Sequence, residues 1–117
     1  MQIRLLSVVF MVLGLTPAAF AIVNPPFDDL LRGDANNDLR VDLSDPTAIN
    51  SWLFNGQPEP VCLDAADAND DGAVDISDAI HLFTYLFLGG PAPRPPFPYC
   101  GPDPTADSLG CFSSACH

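Results

Sequence analysis

Two stretches of this chain carry almost the same pattern: residues 34–45 read DANNDLRVDLSD and residues 67–78 read DANDDGAVDISD. The similarity continues beyond them, so that residues 34–56 and 67–89 share eleven identities at a spacing of 33 residues. A fixed period of this size is typical of one supersecondary unit that is used twice and cannot bury its apolar face alone. The sequence therefore predicts a tandem repeat.

Each copy places oxygen-bearing side chains at positions 1, 3, 5, 9 and 12 of a twelve-residue loop, the spacing with which such a loop surrounds a hard cation. Position 7 contributes its backbone carbonyl, and position 9 commonly acts through a water molecule. The predicted ligands of site 1 are Asp34, Asn36, Asp38, Arg40, Asp42 and Asp45. Those of site 2 are Asp67, Asn69, Asp71, Ala73, Asp75 and Asp78.

Calcium is the ion that this donor set favours, because six to eight flexible oxygen ligands suit it better than magnesium. Zinc is disfavoured since the loops offer neither nitrogen nor sulfur. A solvated acidic turn would explain one such loop, but two in register favour a pair of calcium sites. Position 6 requires a positive φ, which Gly72 adopts freely and Leu39 does not. We therefore expect site 2 to be the more secure of the two.

Each loop leads into a predicted helix, over about residues 43–54 and 76–88. Pro46 falls in the first turn of its helix, where its missing N–H needs no partner. Gly56 and Gly89 supply the C-terminal stops. The segments before both loops are rich in proline and glycine, so that no helix is expected to enter either loop.

The predicted helices are apolar along two stripes. One stripe and the loop ends should form the core between the repeats, through Val41, Ile49, Leu53, Val74, Leu82 and Leu86. The second stripe occurs on the second helix only, at Ile76, Ile80, Phe83 and Phe87. Cover by the chain's own tail is the preferred interpretation of this stripe, and a partner-binding surface is the alternative.

These residues resemble type I dockerin repeats, the duplicated modules of cellulosomal proteins, over residues 34–90. The resemblance implies a mainly α domain of two calcium-loop-plus-helix repeats, 34–56 and 67–90, packed antiparallel, and a cohesin domain as partner. The chain departs from cohesin-binding dockerins at loop positions 10 and 11, where Leu43-Ser44 and Ile76-Ser77 replace pairs of hydroxyl residues. The repeats and the tail together also resemble a variant found in secreted proteins of planctomycete-type bacteria.

The first residues predict export. Arg4 precedes an apolar run over residues 5–15, and Ala19-Phe20-Ala21 has the form of a cleavage site. We expect residues 1–21 to be a signal peptide, residues 22–33 a linker, and the product to be extracellular or periplasmic without a stable membrane span. After cleavage, three arginines against fifteen acids give a net charge of −12. This charge disfavours nucleic acid and anionic lipid as partners.

Cysteines in an exported protein are expected to form disulfides. The four here are Cys62, Cys100, Cys111 and Cys116. Spacing leaves all three pairings open, and Cys62 with Cys100 and Cys111 with Cys116 is the preferred one. The resulting Pro-rich, disulfide-stapled tail, residues 91–117, is expected to be irregular. A zinc site that adds His117 to three of these cysteines is disfavoured because CxxC spacing is missing.

An enzyme is not expected, because most acids are assigned to metal loops in a domain too small for a deep cleft as well. A glycosidase carboxylate pair and Cys-His chemistry are disfavoured accordingly. The favoured function is calcium-dependent assembly with a cohesin-like or cell-surface protein, in a setting of polysaccharide degradation that the resemblance implies. The alternative is a calcium-stabilised structural or buffering extracellular protein without a specific partner.

Overall fold

In the part of the chain that the structure describes, three helices form directly after turns that aspartate and cysteine residues shape. The structure, a computed structural model, describes residues 29–116. The helices are α1, Ser44–Asn55; α2, Leu63–Ala66; and α3, Ile76–Leu88. Within the described range there is no β-strand, only isolated bridges of Leu30 with Gly101 and Cys62 with Cys111. The predicted signal peptide, residues 22–28 of the predicted linker and His117 lie outside the described residues.

The bounds of α1 and α3 agree with the predicted helices to within one residue. Pro46 occupies the first turn of α1, as expected. Gly56 and Gly89 end the two helices in the left-handed conformation, each with a φ of 74°. A side chain with a β-carbon would be strained at these positions, which explains why glycine stands at both stops.

The core lies between the two repeats, where α1 packs against α3. Ile49 of α1 and Leu82 of α3 are fully buried there, as predicted. The other predicted members that pack against this core are Val41, Leu53 and Val74. Leu86 is only half-buried. The sequence pattern did not single out the small residues that complete the core, which are Ala35, Ala66, Ala68 and Ala79.

One turn of helix, α2, leads into the second loop, and the prediction that no helix enters it is wrong at this point. Sulfur of Cys62 accepts a hydrogen bond from the N–H of Ala65 at 3.3 Å and so caps the turn. The expectation rested on Pro58 and Pro60, but both prolines lie before Cys62 and leave four residues free to turn.

The disulfides differ from the preferred pairing. Cys62 is bonded to Cys111, and Cys100 to Cys116. The physical reason is that the tail returns to α2: the N–H of Leu63 donates to the carbonyl of Gly110 at 3.0 Å, next to Cys111. Both bonds therefore involve the tail, and Cys62–Cys111 fastens it to the repeat region.

The last residues of the predicted linker are packed into the domain. Leu30 exchanges backbone hydrogen bonds with Gly101, at 2.8 and 3.0 Å, and the N–H of Arg32 donates to the carbonyl of Pro96 at 2.8 Å. Leu30 and Arg32 are buried. Residues 30–32 are thus held by the tail as part of the folded unit.

The second apolar stripe of α3 is not covered by the tail, contrary to the preferred interpretation. Phe97 of the tail packs edge to face on Tyr85, with 5.6 Å between the ring centroids. The tail is instead tied down by hydrogen bonds and a disulfide at α2 and the loops. The stripe residues that stay exposed are Ile76, Ile80 and Phe87, whereas Phe83 packs against the core.

No helix in the described part of the chain is long and apolar enough to cross a membrane.

Candidate metal centre

Both twelve-residue loops turn through two residues in the left-handed conformation. At position 4 these are Asn37 and Asp70, with φ of 63° and 56°. At position 6 they are Leu39 and Gly72, with φ of 68° and 89°. Asn and Asp tolerate this conformation, whereas Leu at position 6 costs about 1 kcal/mol. Leu39 thus adopts the same left-handed conformation as Gly72, at the position where the sequence predicts that the two sites differ.

The aspartate at position 1 organises the turn of each loop. Asp34 accepts hydrogen bonds from the N–H of Asp38 at 3.0 Å and of Leu39 at 2.8 Å. Asp67 does the same with Asp71 at 3.2 Å and Gly72 at 2.9 Å. Because the acceptor side chain begins the loop and the donors lie at its tip, these bonds fold the loop back onto its own start.

The aspartate at position 12 ties the loop to the helix. Asp45 accepts from the N–H of Asn36 at 3.2 Å and of Asp42 at 2.8 Å. In the second repeat the N–H of Asn69 and of Asp75 donate to Asp78 at 3.3 and 2.9 Å. Each carboxylate thus sits in the first turn of α1 or α3 while facing the loop.

The aspartate at position 9 binds the serine two residues later and does not join the other carboxylates. Asp42 accepts from the backbone N–H of Ser44 at 3.0 Å and from its hydroxyl, and Asp75 accepts the equivalent pair from Ser77. The asparagine at position 3 donates to the same serine hydroxyl, at 2.7 Å in loop 1 and 3.2 Å in loop 2. Each serine therefore joins positions 3 and 9 of its own loop.

Three carboxylates converge in each loop. Their oxygens lie within 4.8 Å of one another in two groups, Asp34 with Asp38 and Asp45, and Asp67 with Asp71 and Asp78. The members at positions 1 and 12 are buried, and those at position 5 are exposed. At position 7, Arg40 and Ala73 have exposed side chains, and their N–H groups donate to the position-5 carboxylate at 3.0 and 3.1 Å. Six of the twelve predicted metal ligands are thus brought together, as three carboxylates in each loop.

Burial dominates the electrostatics of these groups. The pKa of Asp45 and of Asp78 is raised to about 7, mainly by desolvation and in smaller part by the nearby carboxylates at position 1. Desolvation also raises the pKa of Asp34 and Asp67. Hydrogen bonds from the loop N–H groups act in the opposite direction but do not outweigh burial.

The donor set fits a hard divalent cation. Within residues 29–116 every ion pair involves Arg32, and none of these pairs includes a carboxylate of loop 1. Buried carboxylates without a basic partner are costly, and an ion coordinated by their oxygens would remove that cost. Asp34, Asp38 and Asp45 could hold one ion and Asp67, Asp71 and Asp78 another, with no nitrogen or sulfur among them.

Arg32 is a structural residue that the sequence did not reveal. Its side chain is fully buried, and its Nη1 donates to the carbonyls of Asp64 and Asp67 at 2.8 and 3.3 Å. Nε donates to the carbonyl of Pro95 at 2.9 Å, and Nη2 donates to Asp103 at 2.7 Å. Arg32 therefore joins the start of the domain, α2 and the tail. An arginine next to Gly33 carries no pattern that distinguishes it from a surface charge.

The tail contacts both loops through the same loop position. The N–H of Ala115 donates to the side chain of Asn37 at 2.7 Å, and the hydroxyl of Thr105 donates to Asp70 at 2.8 Å. Asn37 and Asp70 both occupy position 4, the first left-handed residue. The tail thus holds a side chain of each loop, which no spacing in the sequence indicated.

The model of the type I dockerin domain family matches residues 32–87, the segment that contains both loops, α1, α2 and all of α3 but its last residue. Residues 32–87 are a type I dockerin domain. No curated protein and no solved structure matches the chain. A dockerin domain is a non-catalytic module that binds calcium and assembles with cohesin domains. The predicted resemblance to type I dockerins is confirmed for these residues, and each of the two loops contains an acidic cluster.

Proposed function

We propose that the chain is a secreted dockerin module that binds one calcium ion in each loop and then assembles with a cohesin-like protein of an extracellular polysaccharide-degrading system. The two loop-plus-helix units would pack antiparallel, with site 2 the tighter because Gly72 stands where site 1 has Leu39. Arg40 and Ala73 would contribute backbone carbonyls, and Asp42 and Asp75 would act through water. Calcium supplies charge neutralisation that lets the buried aspartates stay ionised in the folded domain.

The equivalence of the two loops supports this proposal most directly. The aspartates at positions 1, 5, 9 and 12 accept the same hydrogen bonds in both copies, although position 6 differs between them. An acidic turn without a ligand has no reason to repeat this arrangement around a buried pair of carboxylates. The two disulfides fit an oxidising compartment.

The partner surface that we propose is apolar. Leu43 and Ile76, at loop position 10, are 52% and 43% exposed, and Ile80 one turn further along α3 is 52% exposed. The neighbouring serines are occupied within the loops. A cohesin-type partner would therefore be recognised through aliphatic contacts rather than through hydroxyl pairs, and this agrees with the departure from cohesin-binding sequences at positions 10 and 11.

A pull-down from the secreted fraction of the source organism tests the proposal, with the mature chain as bait in calcium or in EDTA. We expect one cohesin-type protein to be recovered in calcium only. Ile80→Asp should abolish recovery while calcium binding persists, because Ile80 is exposed and outside the core. Phe112→Asp is the matched control, since Phe112 is 93% exposed on the tail, and it should recover the partner normally.

Two results would count against the proposed assembly. Recovery of nothing from the secreted fraction, with calcium bound, would favour a calcium-stabilised structural or buffering protein. Equal recovery by Ile80→Asp and Phe112→Asp would move the partner surface away from α3.

A further inference from the structure

A third group of carboxylates lies beside loop 2 and uses residues from three segments of the chain. Asp64 comes from α2, Asp67 and Asp70 from loop 2, and Asp107 from the tail. Oxygens of all four lie within 4.8 Å of one another. Only Asp67 belongs to the predicted ligands of site 2, so the group is not a part of the twelve-residue pattern.

Asp64 holds a buried oxygen that accepts no hydrogen bond. Its side chain is 9% exposed, and its Oδ1 is buried and makes no hydrogen bond with any described residue. Nη1 of Arg32 lies 3.6 Å from this oxygen, which is beyond the range of a hydrogen bond. Buried polar atoms in folded proteins are nearly always paired with protein, water or an ion. Asp64 therefore indicates a ligand beside it.

Arg32 does not balance the charge of this region. Its N–H groups donate hydrogen bonds to the backbone carbonyls of Pro95, Asp64 and Asp67 and to the carboxylate of Asp103. It also lies 3.5 Å from Asp70. One guanidinium stands against the carboxylates of Asp64, Asp70, Asp103 and Asp107. These carboxylates outnumber the one guanidinium even though burial and a hydrogen bond with Asp103 raise the pKa of Asp64 to about 7, and the excess of negative charge attracts a cation.

We propose that Asp64, Asp70 and Asp107 bind a third divalent cation, with Asp67 shared between this ion and site 2. Calcium is the expected ion because the cluster offers only carboxylate oxygens, which are ligands that calcium prefers. The ion fastens the tail to loop 2 at a point where Thr105 already bonds Asp70. This inference goes beyond the proposed function, which requires two ions.

Counting bound ions tests the third site. Calcium is titrated into the metal-free mature chain with intact disulfides, and the bound ions are counted by calorimetry and by mass spectrometry under native conditions. The wild-type chain should bind three ions, and Asp107→Asn should bind two. The asparagine retains an acceptor for the N–H of Leu109, which Asp107 now binds at 2.9 Å, so the tail turn is kept. Glu59→Gln, an exposed acid outside the cluster, is the matched control and should bind three.

The outcomes separate this inference from the proposed function. Two ions on the wild-type chain would overturn the third site and leave the two loop sites intact. Three ions on Asp107→Asn would equally overturn it, because the tail would then hold none of them. No bound ion on the wild-type chain would overturn both proposals.

Discussion

Leu39 is the residue at which the two loops differ most in backbone cost, since it adopts a φ of 68° where the second loop has Gly72. Leu39→Gly should stabilise loop 1 by about 1 kcal/mol. Because metal binding and loop ordering are coupled, the apparent calcium affinity of site 1 should rise about fivefold. Calorimetric titration measures this. Gly72→Ala should weaken site 2 in turn, and affinities that stay unchanged in both variants would contradict the assignment.

The buried aspartates at position 12 make the metal-free protein sensitive to pH. The pKa of Asp45 and Asp78 is raised to about 7 in the folded state from 3.8. A raised pKa means that the folded state holds these protons more tightly, so their stabilising contribution is present at low pH and lost as pH rises through about 7. In EDTA the free energy of unfolding should therefore fall between pH 5 and pH 8.

Calcium should reverse that trend, because it binds the ionised carboxylates and competes with protons. Urea unfolding at pH 5 and pH 8, in EDTA and in excess calcium, measures both effects. Asp45→Asn should flatten the part of the metal-free pH dependence that Asp45 contributes. A metal-free protein that becomes more stable as pH rises would contradict the burial of these groups.

At the scale of elements, the tail, α2 and the residues before loop 1 depend on one another through Arg32. Arg32→Met should destabilise the domain by about 3–5 kcal/mol, because Asp103 and the carbonyls that Arg32 binds lose their buried partner. Arg94→Met is the matched control, since the side chain of Arg94 is exposed, and it should change stability little. Urea unfolding in excess calcium compares them. Equal stability of the two variants would contradict the buried role of Arg32.

The two disulfides should contribute unequally to stability. They close sequence separations of 49 residues at Cys62–Cys111 and 16 residues at Cys100–Cys116. Chain entropy predicts about 4 kcal/mol for the longer loop and about 3 kcal/mol for the shorter. Replacing Cys62 and Cys111 with alanine should therefore lower the thermal midpoint more than replacing Cys100 and Cys116. The opposite order would show that packing of the tail end outweighs loop closure.

The elements that the sequence predicted are those whose signals are local. Asp, Asn and Gly at fixed loop positions and Ile49 or Leu82 at helical spacing determine α1, α3 and the core between them. The path of the tail could not be predicted, because it depends on the distant contacts of Arg32 with Asp103 and of Ala115 with Asn37. The observed disulfide pairing follows from that path, and the predicted pairing was wrong for the same reason.

For the molecule as a whole, folding brings acidic side chains into clusters. The chain carries fifteen acids against four arginines and lysines. The buried acids lie in or next to the two loops and in α2. The candidate loop sites were predictable from spacing alone. The cluster of Asp64 with Asp107 was not, since residues 43 positions apart meet there only after the tail has folded back.

The most direct test is far-UV circular dichroism of the mature chain, oxidised and stripped of metal, during a calcium titration. Calcium should increase the helical signal as α1 and α3 form on the closed loops, and excess EDTA should reverse the change. A variant with Asp34→Asn and Asp67→Asn should not respond. A helical signal that is already complete in EDTA and unaffected by calcium would contradict the claim that α1 and α3 form only when the loops bind calcium.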